Sequence, residues 1–315
     1  MIFFNSSVRM SPVSRLFVAF LLVLAGYTAF FLRNLNLEEK SAEVISRVNA
    51  QATSSAQIEA TSSTQNQSSQ SQPVSRFKND EKTPIPVSTV KPVKNGLRVP
   101  ILTYHYVGNN PNPNDKARDY LSVTPDRFEE QMDWISKNRT TITLDELYNA
   151  LNSGSTLPQN PIILTFDDGY IDFYYNAWPI LQKFNLKAVS YIPTGLVGQP
   201  AYMTWEMIQK VHSAGLVDFQ SHGVNHRKLT SLSQSELEFE IFESKKELEI
   251  RLNKKINHFC YPYGSFDNRV IKVISQAGYL TSTSTVNGIY QVNQYGLTRV
   301  KMDNSYTSNI LVSKF

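Results

Sequence analysis

The chain is poor in thiols: Cys260 is the only cysteine in 315 residues. One cysteine excludes a disulfide framework within the chain and any zinc site built from several thiolates. Charge of one sign is also scarce, with a formal net charge of +4. No dense Lys/Arg patch with interleaved aromatics occurs, which argues against a nucleic-acid partner. Internal repeats are absent. Residues 51–76 contain no aromatic and few branched aliphatics, too little apolar surface to offset chain entropy. Residues 16–32, "LFVAFLLVLAGYTAFFL", carry no charge.

As a helix those positions span roughly 26 Å, the short end of what crosses a bilayer. Arg9 and Arg15 precede the run, and Arg33, Glu38 and Glu39 follow it, which favours an N-terminus kept in the cytoplasm. A cleaved signal peptide is the competing reading, but the run exceeds a usual h-region and no clean A-x-A site follows. The sequence thus divides into a cytoplasmic N-terminus (1–15), a transmembrane anchor or signal sequence (16–32), a low-complexity linker (33–96) and a globular domain (97–315). The expected location is the cell membrane, single-pass, with the domain outside the cytoplasm, or secreted if the segment is cleaved.

Within 97–315 strand-like and helix-like stretches alternate. "RVPILTYH" (98–105), "PIILTFDDG" (161–169), "KAVSYIPTG" (187–195), "LVDFQSH" (216–222), "INHFCYPYG" (256–264), "YLTSTST" and "LTRVKM" read as strands. Between them lie helices over 124–138, 143–151, 175–185, 204–215, 233–253 and 268–278. Thr124 with Pro125, and the capping boxes Thr143/Glu146 and Ser233/Glu236, mark three starts. Such alternation predicts a parallel sheet, and about seven strands predict a closed or nearly closed β/α barrel. In such barrels chemistry sits at the C-terminal strand ends. Those ends bring His105, Asp167, Asp168, Pro193, Thr194, His222, His226, and Tyr261 to Gly264 to one face. His222 and His226, four apart in "SHGVNH", have a spacing that suits a divalent metal once a carboxylate from another strand joins them.

"TFDDG" (165–169), "SHGVNH" (221–226) and "YPYG" (261–264), in this order on successive strands, resemble the polysaccharide deacetylases of carbohydrate esterase family 4. "LTYH" and "YMTW" are similar to the branch acting on poly-β-1,6-N-acetylglucosamine. The resemblance implies a distorted (β/α)7 barrel and a metal-dependent N-deacetylase of N-acetylated polysaccharide, either that polymer or peptidoglycan. It implies that Asp168, His222 and His226 bind a divalent metal, usually Zn2+. Asp167 would be the general base, and the Tyr263 N–H would hold the oxyanion. Tyr263, Trp205 and Tyr170 are the candidates for contact with sugar rings.

Two positions depart from the pattern. Cys260 stands where many members have the Arg that orients the catalytic Asp, and a late "LTR" ending in Arg299 replaces L-x-H, whose His serves as general acid. By position His105 is the substitute acid and Arg299 the substitute orienting charge. These departures keep open a non-catalytic, metal-containing glycan-binding protein on the same fold, as well as an O-acetyl esterase. His212 and His258 read as structural or exposed, and Cys260 as a small buried residue.

Overall fold

The structure, a computed structural model, describes residues 96–112 and 114–315. The expected N-terminal segment, the anchor over 16–32 and all but the last residue of the linker lie outside the described residues. Among the described residues, no helix is long and apolar enough to cross a membrane.

Seven strands carry the domain: β1 (Ile101–Tyr104), β2 (Pro161–Phe166), β3 (Ala188–Ile192), β4 (Val217–Ser221), β5 (His258–Cys260), β6 (Thr281–Asn287) and β7 (Leu297–Lys301). Each pairs in parallel with its neighbours in the order β1-β7-β6-β5-β4-β3-β2, and β1 also pairs with β2, so the sheet closes on itself. The expected seven-stranded barrel is therefore present. It is uneven: β4 and β5 share the single pair Ser221–Phe259, and the β6–β7 register shifts between Thr283 and Asn287.

Around it run α1 (Pro125–Asn138), α2 (Leu144–Ser153), α3 (Trp178–Lys183), α4 (Trp205–Ser213), α5 (Gln234–Leu252), α6 (Asn268–Gln276) and α7 (Ser308–Lys314). Their starts follow the residues expected from sequence. Thr124 accepts from the Arg127 N–H ahead of Pro125, and both capping boxes form reciprocally. The helix expected over 175–185 differs: Phe173–Ala177 is a π-helical turn, and α-geometry begins only at Trp178. Pro179 explains the difference, since its ring crowds the carbonyl four residues earlier and a widened turn relieves the clash.

Alternate residues of a strand face opposite sides, which produces two cores. Leu102, Leu164, Phe219 and Phe259 pack outward with residues of the surrounding helices. Ile101, Ile163, Val189, Tyr191, Cys260 and Leu297 form the interior, and Leu144, Leu147 and Leu151 of α2 join that cluster. Helix α2 follows the two-residue strand Thr140–Thr141, which pairs with the start of β2. It therefore plugs the N-terminal floor of the barrel, and the C-terminal strand ends form the open mouth.

Candidate active site

β2 delivers two adjacent carboxylates, and the backbone separates them. The Asp167 N–H donates to the Tyr104 carbonyl at 2.9 Å, which continues the strand and keeps the Asp167 side chain inside the barrel. Asp168 and Gly169 then both take positive φ, +71° and +70°. A Cβ on Gly169 would come within 2.9 Å of Ile192 Cδ1, so both the conformation and the space require glycine. This left-handed step turns Asp168 away from Asp167 and toward the loop after β4. Such backbone strain in a non-glycine residue persists only where the surroundings hold it.

Asp167 is gripped by Arg299 of β7. Nη1 donates to Oδ1 at 2.8 Å and Nη2 to Oδ2 at 2.7 Å, a bidentate fork between two buried groups. Burial works to raise the Asp167 pKa, but Arg299 outweighs it and holds the carboxyl below its ordinary value. The Arg299 Nε also donates to the Ser284 carbonyl at 2.8 Å, which fixes the guanidinium plane. Cys260 Sγ sits 3.3 Å from Arg299 Nη2, so the small thiol leaves room for a guanidinium arriving from two strands away. His105 Nε2 lies 3.8 Å from Asp167 Oδ2, and burial lowers the imidazole pKa against the pull of Asp167.

Asp168 Oδ1 lies 3.3 Å from His222 Nε2 and 3.1 Å from His226 Nε2. His222 Nδ1 donates to the Cys260 carbonyl at 2.7 Å, which leaves Nε2 facing Asp168; burial works to lower the His222 pKa, but Cys260 and the Asp168 and Asp167 carboxylates hold it well above the ordinary value. A carboxylate oxygen and two imidazole nitrogens thus converge, and Asp168 Oδ1 is buried with no hydrogen-bond partner among the described residues. Metal-ligand atoms converging this way can hold a cation. The three donor atoms fit a divalent ion, and the hydrogen bond to the Cys260 carbonyl fixes the His222 ring as such sites require.

Residues 154–282 match the family model for polysaccharide deacetylase. This chain carries a polysaccharide deacetylase domain. Among its relatives are YxkH of Bacillus subtilis, 27% identical over 71% of this chain and 77% of that protein, and the poly-beta-1,6-N-acetyl-D-glucosamine N-deacetylase of Staphylococcus aureus. The latter is 30% identical over 171 residues, 50% of this chain and 59% of that enzyme. The solved Streptococcus pyogenes deacetylase PplD in complex with acetate superposes with a TM-score of 0.66 at 28% identity, covering 70% of this chain and 98% of that one. The family match takes in the deacetylase motifs from Asp167 to Tyr263, whereas His105 and Arg299 lie outside it.

Around the mouth of the deacetylase domain the expected aromatics take different places. Tyr263 is 66% exposed, with its ring 4.7 Å from that of His226. Its φ of +58° aims it there, and its N–H has no acceptor among the described residues. Tyr170 stacks on Tyr106 at 3.9 Å and on Tyr202 at 5.2 Å. Trp205 opens α4, packs against the outer core and lies under the Arg251 guanidinium at 5.1 Å. His258 is fully buried against Thr281 Oγ1 at 2.8 Å, a structural histidine as expected. Sequence reasoning missed Tyr202, and it missed Tyr106 and Arg118, which extend the same stack.

Proposed function

We propose that this domain hydrolyses N-acetyl groups from an N-acetylglucosamine polymer, in a metal-dependent reaction that yields acetate and a free amine. The observation that carries the reading is the divided duty of the two aspartates, one in the Arg299 fork and the other against two histidines. Asp168, His222 and His226 would hold the ion, which supplies Lewis-acid polarisation of a carbonyl and acidification of water.

Asp167 accepts the proton of the attacking water; Arg299 keeps it ionised and fixes its direction. The free Tyr263 N–H donates to the oxygen that gains charge. His105, its Nε2 3.8 Å from Asp167 Oδ2, takes that proton over from Asp167 and delivers it to the departing nitrogen, which leaves both groups as they began. The exposed Tyr263 ring offers an apolar face to a pyranose. Poly-β-1,6-N-acetylglucosamine is the preferred polymer, after the Staphylococcus relative, with peptidoglycan as the rival. Anchoring by residues 16–32 with the domain outside the cytoplasm belongs to the same proposal, and an alkaline phosphatase fusion after residue 40 that is inactive would contradict it.

Acetate and amine release from both polymers by the purified chain, with and without chelator, tests the reaction. Chelator-sensitive release is expected. Glycan binding without release would support the non-catalytic reading instead. Asp167→Asn is expected to lower kcat by about 10²–10⁴-fold with metal content unchanged. His105→Ala should lower kcat in the same assay, and unchanged turnover there removes His105 as the acid.

A further inference from the structure

His222 and His226 sit at the two ends of a turn that belongs to no helix or strand, so its shape must be imposed from outside. One side is held by the loop after β3: the Thr194 N–H donates to the Gly223 carbonyl at 3.0 Å and the Gly195 N–H to the Val224 carbonyl at 2.8 Å. The other side is held by one side chain of α5. Glu240 Oε2 accepts the backbone N–H groups of Val224 and Asn225, each at 2.8 Å, and Oε1 accepts the Asn225 side-chain amide at 2.9 Å. A Cβ on Gly223 would come within 3.0 Å of Oε2, so the carboxylate rests against bare backbone.

Glu240 is 1% exposed, and among the described residues no Lys or Arg pairs with it. Burying a carboxylate is costly unless hydrogen bonds compensate, and here the turn supplies these three. Its neighbours on the buried stripe, Leu237, Ile241 and Leu248, show that an apolar residue would suit α5 packing. The charged group is therefore explained by the turn and not by the helix.

We propose that Glu240 is a positioning residue for the metal site, holding the 222–226 turn in the shape that presents both imidazoles to Asp168. The proposal rests on the reading that Asp168, His222 and His226 bind a divalent ion. A turn fixed beforehand loses less freedom when the ion binds, which appears as affinity.

The test is the zinc dissociation constant of the purified chain, measured by competition with a chromogenic chelator, together with the visible spectrum of the cobalt(II)-substituted protein. Glu240→Leu should weaken zinc by about 10–100-fold and change the cobalt bands. Glu240→Gln should restore binding to near wild type, because its amide oxygen can take both N–H groups and Asn225 can turn its oxygen to the new NH2. Wild-type affinity and spectrum in a folded Glu240→Leu protein overturn the proposal. Equal losses in the Gln and Leu proteins also overturn it, since the charge and not the acceptor geometry would then matter. Should the Leu protein not fold, Glu240→Asp, one methylene short, must weaken zinc, and unchanged affinity there overturns the proposal. Lack of zinc binding by the wild type is a separate result, which overturns the metal reading itself.

Discussion

At the scale of single residues, two buried carboxyls are pushed in opposite directions. Asp167 is held below its ordinary range by Arg299, so its contribution to stability is present above the unfolded value and lost as pH falls through the lower folded value. Arg299→Met leaves that charge buried and unpaired, and should cost about 3–5 kcal/mol at pH 7. The deficit should narrow in acid, where protonated Asp167 needs no cation; denaturant titrations at pH 7 and pH 4 measure it. Asp172 is the reverse case. Its side-chain oxygens are buried, and burial pushes the carboxyl up to about 6 against the weaker opposing pull of Arg118. A raised folded pKa favours the fold below the unfolded value and penalises it as pH rises through about 6. Asp172→Asn should therefore stabilise the protein by about 3 kcal/mol at pH 8 and by little at pH 4, read as melting temperature. The Asp172 shift was not legible from sequence, because burial of a carboxyl depends on which loops cover it.

At the scale of elements, the caps were legible because they are local. Ser233 Oγ accepts from the Glu236 N–H, and the Glu236 carboxylate accepts from the Ser233 N–H at 2.9 Å. Ser233→Ala should cost about 1 kcal/mol in chemical denaturation. The buried stripe of α5 was harder to read. Leu237, Glu240, Ile241, Ser244 and Leu248 face inward, while Phe239, Phe242 and Ile250 are exposed. Polar residues on the inner face and aromatics on the outer one blur the period, so the signal for Glu240 was its place between Leu237 and Ile241. The adjacent aspartates, the paired histidines and "YPYG" were legible since each motif is short. The Arg299 fork was anticipated only as a substitution of charge. That the guanidinium crosses the barrel interior to reach both oxygens depends on the closure of seven strands.

At the scale of the whole molecule, alternation in the sequence predicted the barrel, while its floor was hidden. Helix α2 reads as an ordinary outer helix with a capping box, yet Leu144, Leu147 and Leu151 close the interior. Which face of a sheet a helix covers is set by the short strand Thr140–Thr141 before it, too brief to read from pattern. The closed floor and the proposed metal site together predict a linkage. Zinc at a hundredfold excess over its dissociation constant should stabilise the chain by about 2.7 kcal/mol. The melting temperature should rise accordingly, and Asp168→Ala should abolish the rise.

Cys260 has a use that its chemistry in the site does not suggest. It is the sole thiol of the chain, 0% exposed, enclosed by the barrel wall and 3.3 Å from the guanidinium that grips Asp167. A disulfide-exchange reagent can therefore reach it only through molecules whose barrel has opened. The labelling rate counts those openings one molecule at a time, with no substrate, and the chain carries its own clock for the integrity of its centre.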